Sequence, residues 1–276
     1  MDLLQRILEC SEEEVDSIID QAIKDADNNA VKVDKLGFLS HGHSNSVHKG
    51  FIPLTTRIKY ANLTMEDYGM ETTDFIYEFA HAIKKYNVNT KAGLIHYLEH
   101  FVNYYFGFPG KAKRETIFND IAWETTTTDD EYFAALENNK LGDLKGKGAA
   151  ECTERGALVQ QVLSVFGTES YYCMGCVDLG NRQEPHCFNI VKRKNDYALL
   201  DYSVPITAYN ADGSVRAYYP FIGTMTNDEF IDFINNGTIR SFDDYFMNEK
   251  QKEMTGTQRM YVVGEYSIDK QKSITA

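Results

Sequence analysis

Apolar residues at the start of the chain recur every three or four positions. Leu3, Leu4, Ile7 and Leu8, then Val15, Ile18, Ile19, Ala22 and Ile23, each mark one face of a short helix. Ser11 followed by Glu14 reads as a capping box between the two. From Lys35 to Tyr60 the period is lost, and Gly37, Gly42, Gly50 and Pro53 predict irregular chain. Helical spacing returns from Thr73 to Tyr86 and from Thr90 to Phe106. Leu94, Tyr97, Leu98, Phe101, Tyr104 and Tyr105 form the buried face of the second segment, and Gly107 and Pro109 end it. A further short helix is expected from Asp129 to Leu136, then a Gly- and Lys-rich loop from Gly142 to Gly148.

Beyond that loop, Glu151 to Phe166 reads as one helix. Ala157, Leu158, Val162, Val165 and Phe166 face inward, and Gly167 is its natural stop. The period then drops to two. Ser170 to Val177, His186 to Val191 and Tyr197 to Val204 read as strands, with turns at Gly180-Asn181 and around Asn195. A short helix from Asn227 to Asn235 and a strand from Arg259 to Tyr266 follow. Helices first, then a helix against an antiparallel sheet, is the order of an α+β protein. Residues 1–140 are expected to form a helical region packed on a core built by residues 141–276.

Composition narrows the function classes. Hydrophobic content of 43% with 18 Tyr and 16 Phe excludes a disordered chain. A net charge of −13 excludes a nucleic-acid partner, which needs clustered Lys and Arg. No apolar run reaches bilayer length, so no membrane association is expected. The acidic opening, Met1-Asp2, and the lack of an apolar segment before Ser11 leave no visible signal peptide. The five cysteines, an odd number, fit a reducing compartment such as the cytoplasm better than a disulfide framework.

The chemistry-bearing residues lie in the second half. Cys152 opens a helix directly after a glycine-containing loop. A free thiol is mostly protonated at neutral pH, and a helix N-terminus or a neighbouring imidazolium lowers its pKa. The first-turn N–H groups there are also open to a tetrahedral oxyanion. His186 begins one strand and Asp201 lies on the next. If a four-residue loop, Lys192 to Asn195, closes the hairpin, Val191 pairs with Asp196. Counting back along one strand and forward along the other then sets His186 opposite Asp201. Such a pair fixes the imidazole tautomer and steadies its charged form.

Glu151-Cys152, then His186-Cys187-Phe188-Asn189-Ile190-Val191, then Tyr197-Ala198-Leu199-Leu200-Asp201 together resemble the transglutaminase-like branch of the papain-like cysteine protease superfamily. The resemblance covers about residues 145–205. It implies a core in which the Cys-bearing helix packs on an antiparallel sheet. It also implies Cys152 as nucleophile, His186 as general base and acid, and Asp201 as the residue that orients the imidazole. The reaction implied is acyl transfer from an amide bond of a protein or peptide through a thioester, without a cofactor. Peptide hydrolysis is the first reading; glutamine transamidation or deamidation uses the same three residues. A non-catalytic binding module on the same fold is the alternative from another class. This chain has Thr153 where the family often has an aromatic residue, and no Gln stands between Lys145 and Ala150 to complete an oxyanion hole.

Three other patterns compete. His96-Tyr97-Leu98-Glu99-His100 matches the His-x-x-Glu-His motif of inverted zinc peptidases. Cys173-Met174-Gly175-Cys176 is a single CxxC, half of what a structural zinc site uses. His41, His43 and His48 fall in one irregular stretch. The triad is favoured over all three, so no metal is expected.

Overall fold

The computed structural model describes residues 2–33, 35, 37–41, 47–54, 56–60, 68–69, 72–106, 150, 152–178, 183–209, 215–236, 240–242 and 259–263. Helices α1 (Leu3–Glu9) and α2 (Val15–Asp27) open the chain, separated by a single 3-10 turn at Glu12–Glu14. The Asp2 carboxylate accepts from the Gln5 N–H at 3.0 Å, and the Ser11 N–H donates to Glu14 at 2.8 Å. Both satisfy first-turn donors of the kind a helix start leaves open. Helices α3 (Thr73–Lys85) and α4 (Lys91–Phe106) follow. Lys84 on α3 donates to the carbonyls of Ile7 and Cys10, at 2.9 and 2.5 Å, where α1 ends. Phe75 packs edge-on against Phe101 and Tyr105 of α4, with centroids 5.1 and 4.9 Å apart.

The stretch expected to be irregular holds strands instead: β1 (Phe38–His41), β2 (Val47–Lys49) and β3 (Arg57–Tyr60), with β4 (Tyr68–Gly69) beyond it. Two to four residues give too few alternations to register as a period-two pattern. β1, β3 and β4 make a small sheet of their own.

Among the described residues, the larger sheet has seven strands. Helix α5 (Cys152–Val165) precedes β5 (Ser170–Asp178), β6 (Gln183–Lys192), β7 (Tyr197–Tyr209) and β8 (Val215–Met225). Helix α6 (Asn227–Asn236), β9 (Arg240–Phe242) and β10 (Arg259–Val263) complete the described chain. The spatial order is β8-β7-β6-β5-β10-β9, and every pairing is antiparallel. β2 joins the same edge of β5 as β10: it pairs with Tyr171–Cys173, and β10 pairs with Gly175–Asp178. The fold is therefore mixed helix and antiparallel sheet. The helix expected from Asp129 to Leu136 and the loop from Gly142 to Gly148 lie outside the described residues. No described helix is long and apolar enough to cross a membrane.

Helix α5 departs from the single inward stripe its sequence suggests. Thr153, Glu154, Arg155, Gln160 and Gln161 are buried together with Ala157, Leu158 and Val162. The sheet covers one side of the helix, and α2 and α4 cover others. Hydrogen bonds offset the burial of these polar groups, with the Gln161 amide nitrogen left without a partner. Gln160 donates to the carbonyls of Gly50 and Ser170 at 2.8 and 3.1 Å, Thr72 donates to Gln161, and the Arg155 Nε donates to the Ala150 carbonyl at 2.9 Å. This first core joins α1 to α5 with one face of the sheet, so residues from both ends of the expected division share it. A second core lies on the opposite face, where Phe230 and Phe233 of α6 meet Phe188, Leu199 and Tyr261.

Candidate active site

Cys152 is the first residue of α5, as its sequence context predicts. The helix is held tightly against the sheet at this end. The Asn189 amide of β6 donates to the Gly156 carbonyl at 3.0 Å, and a Cβ at Gly156 would meet the Tyr172 ring at 3.0 Å. A glycine one turn into the helix thus allows α5 to approach β5 and β6, and it brings Cys152 to the strands that carry the other two residues.

The β6–β7 hairpin has the expected loop length but a different register. Arg193 and Asp196 close the turn: the Arg193 N–H donates to the Asp196 carbonyl at 2.8 Å, and its guanidinium grips the Asp196 carboxylate at 2.6 and 2.5 Å. The first pair is therefore Lys192 with Tyr197, one residue later on each strand than Val191 with Asp196. The ladder runs to Asn189 opposite Leu200, and His186 and Asp201 lie just past its end. The expectation of a directly opposed His186 and Asp201 is thus corrected to a diagonal relation. A displacement of two residues keeps each side chain on its face of the sheet, so the contact survives. His186 Nε2 and Asp201 Oδ2 are 2.8 Å apart. Both side chains are completely buried.

Asp201 is held from three directions. Its Oδ1 accepts the Ser203 N–H at 3.0 Å, a local turn bond typical of aspartate. Its Oδ2 accepts from His186 and also from the Tyr261 hydroxyl at 2.7 Å. A carboxylate can only accept, so Nε2 carries the proton and Nδ1 is left as the basic nitrogen. Nδ1 is buried without a hydrogen-bond partner, and the neighbouring ionisable group is the Cys152 thiol. The imidazole is wedged between the rings of Phe188 and Tyr261, at centroid distances of 6.5 and 6.3 Å.

Electrostatics tie the three groups together. Burial alone would lower the pKa of His186, but the Asp201 carboxylate and a charge on Cys152 outweigh it and push the value up to about 10. A second thiol lies beside Cys152. Cys187 touches Cys152, and the Thr153 hydroxyl lies 3.5 Å from the Cys187 sulfur and 4.0 Å from the Cys152 sulfur. The contact with Cys187 and burial raise the Cys152 thiol, while His186 pulls it down. Burial acts to raise Cys187 too, but hydrogen bonds from Cys152, Tyr172 and Thr153 lower it overall. The same contact thus acts in opposite directions on the two thiols, raising Cys152 and lowering Cys187. Only Cys152 has the imidazole beside it, so only Cys152 can pass its proton to a base.

Sequence reasoning missed Tyr261, which arrives from β10, 60 residues after Asp201. No local pattern marks it. It also assigned no role to Cys187. Cys187 lies on the α5 side of its strand, which is where Cys152 meets it.

The competing patterns do not converge. His96 is 64% exposed and Glu99 is buried, 3.9 Å apart. The side chains of His41 and His100, and all of His43, lie outside the described residues. Cys173 points into the second core, away from Cys187. Among the described residues, no three His, Cys, Asp or Glu side chains gather as a metal set. No family model, no characterised protein and no solved structure matches the chain.

Proposed function

We propose that this protein is a cysteine-dependent acyl-transfer enzyme with a transglutaminase-like core, acting on amide bonds of a protein or peptide. The observation that carries the reading is the orientation of His186. Asp201 takes Nε2, which leaves a buried, basic Nδ1 next to the thiol at the start of α5. In this reading Nδ1 accepts the Cys152 proton and the thiolate attacks the amide carbonyl. The C–N bond breaks as the imidazolium returns the proton to the leaving amine. Water, activated by the same nitrogen, then resolves the thioester. Hydrolysis of a peptide bond is the primary reaction, and an amine in place of water gives transamidation. First-turn N–H groups of α5 supply the donors for the oxyanion. Five reduced thiols fit a reducing compartment such as the cytoplasm.

One observation favours a second reading, a binding module on the same fold. Cys152 is 7% exposed and His186 and Asp201 are fully buried, so the thiol is closed to large substrates in this conformation. Alkylation with iodoacetamide across pH, read by mass spectrometry, separates the two. The enzyme reading expects Cys152 to label at least about tenfold faster than half-buried Cys10 at neutral pH, and to lose that lead in His186→Ala. A Cys152 that labels no faster than Cys10 would leave the binding module.

A further inference from the structure

Cys187 has no part in acyl transfer, which needs only a thiol, an imidazole and a carboxylate. Yet it is placed against the nucleophile with care. It comes from β6, while Cys152 comes from the first turn of α5. The Thr153 hydroxyl bridges them, 4.0 Å from one sulfur and 3.5 Å from the other. Both sulfurs are shielded, with Cys152 at 7% and Cys187 at 1% exposure. The remaining thiols are elsewhere: Cys173 faces the second core, Cys176 lies further along β5, and Cys10 ends α1. Cys187 is thus the thiol held against Cys152.

We propose that Cys152 and Cys187 are a site of reversible oxidation by hydroperoxides, with Cys187 as the resolving thiol. The inference rests on the reading of Cys152 as the activated thiol. The Cys152 thiolate attacks the terminal peroxide oxygen. The S–O bond forms and the O–O bond breaks. The departing alkoxide or hydroxide takes a proton from the His186 imidazolium and leaves as an alcohol or water. The sulfur of Cys187, as its thiolate, then attacks the sulfenic sulfur of Cys152. The S–S bond forms, the S–O bond breaks, and hydroxide leaves as water with the proton that Cys187 released. Two thiols and one hydroperoxide give a disulfide, an alcohol (or water) and water; the two sulfurs supply the two electrons. A dithiol reductant restores both thiols. A resolving thiol this close intercepts the sulfenic acid before a second peroxide can carry it to the irreversible sulfinic stage. The Thr153 hydroxyl has to turn aside as the sulfurs close to bonding distance, about 2.05 Å.

The test uses the full chain. Reduced protein is treated with hydrogen peroxide, quenched by alkylation, and mapped by mass spectrometry, with part of each sample first returned to dithiothreitol. The expected product is a Cys152–Cys187 linked peptide, short of two hydrogens, that dithiothreitol converts back to two alkylatable thiols. In Cys187→Ser, Cys152 is expected to gain two oxygens instead and to lose about tenfold or more of its recoverable alkylation. Sulfinic acid on Cys152 of the native protein, or a disulfide to any other cysteine, overturns the proposal; the native mapping alone decides this, whatever the variant's stability. The alkylation rate of Cys152 before peroxide is measured in the same samples. Fast alkylation without the linked peptide overturns the oxidation site alone. Alkylation no faster than Cys10 overturns both it and the enzyme reading.

Discussion

Tyr261→Phe isolates one hydroxyl at the centre of the site. In the native protein that hydroxyl donates to Asp201 Oδ2 at 2.7 Å, inside a region where both side chains are fully buried. The substitution keeps the ring, whose edge-on contact with Phe188 at 5.1 Å is independent of the oxygen. What is lost is one hydrogen bond to a buried carboxylate. Bonds to charged groups contribute about 1.5–3 kcal/mol, and an acceptor deprived of a donor away from water keeps its desolvation cost. Asp201 retains the Ser203 N–H and His186, so the cost is set at the lower half of that range, about 1.5–2 kcal/mol. With a urea slope of about 3 kcal/mol per molar, the unfolding midpoint should fall by about 0.5–0.7 M with the slope unchanged. Tyr261→Ala also removes the ring and should cost about 3 kcal/mol or more. If Tyr261→Phe unfolds at the native midpoint while Tyr261→Ala does not, the ring alone matters and the three-donor account of Asp201 is wrong.

Two further predictions address the surroundings. Gly156→Ala puts a methyl 3.0 Å from the buried Tyr172 ring. Despite the better helix propensity of Ala, worth about 1 kcal/mol, it should destabilise by a net ~1 kcal/mol through overpacking, read by urea unfolding; a stabilised variant would show that α5 and β5 have room to part. Glu99 is buried on α4, and burial pushes its pKa up to about 8. Between about 4.5 and about 8 the folded protein keeps a proton that the unfolded chain has released, so stability falls as pH rises through that window. Glu99→Gln removes the titration and should gain stability relative to the native protein between pH 5 and pH 8; parallel stability profiles would refute the shift.

The parts legible in the sequence were those that local pattern controls. Helix α5, strands β5 to β7, helix α6 and β10 follow from apolar spacing and their glycine and turn punctuation, and they place Cys152, His186 and Asp201 on the elements expected. The register was misjudged by the turn. Lys192 to Asn195 reads as the polar loop, but the Arg193–Asp196 ion pair closes the chain one residue later. Strand β8 has no clean alternation because Pro220 and Gly223 interrupt it. Its position at the sheet edge is where proline, lacking an N–H, is tolerated. The burial of Glu154, Arg155 and Gln160 depends on helices far away in sequence, so the residues themselves give no sign of it. Tyr261 is invisible for the same reason.

The doubled edge of β5 has a consequence for how the protein is made. One flank of that strand is completed first by residues 47–49 and then by residues 259–263. The thiol and the imidazole are synthesised long before Tyr261, which grips the aspartate and arrives on the last described strand. Pairings that span so much chain form slowly, because closing long loops precedes any gain from contacts. On a growing chain, Cys152 and His186 exist without their finished support until β10 emerges and docks. The three-donor cradle of Asp201 is thereby coupled to the emergence of residues 259–263, and a chain made only as far as β8 holds His186 and Asp201 without the Tyr261 hydroxyl.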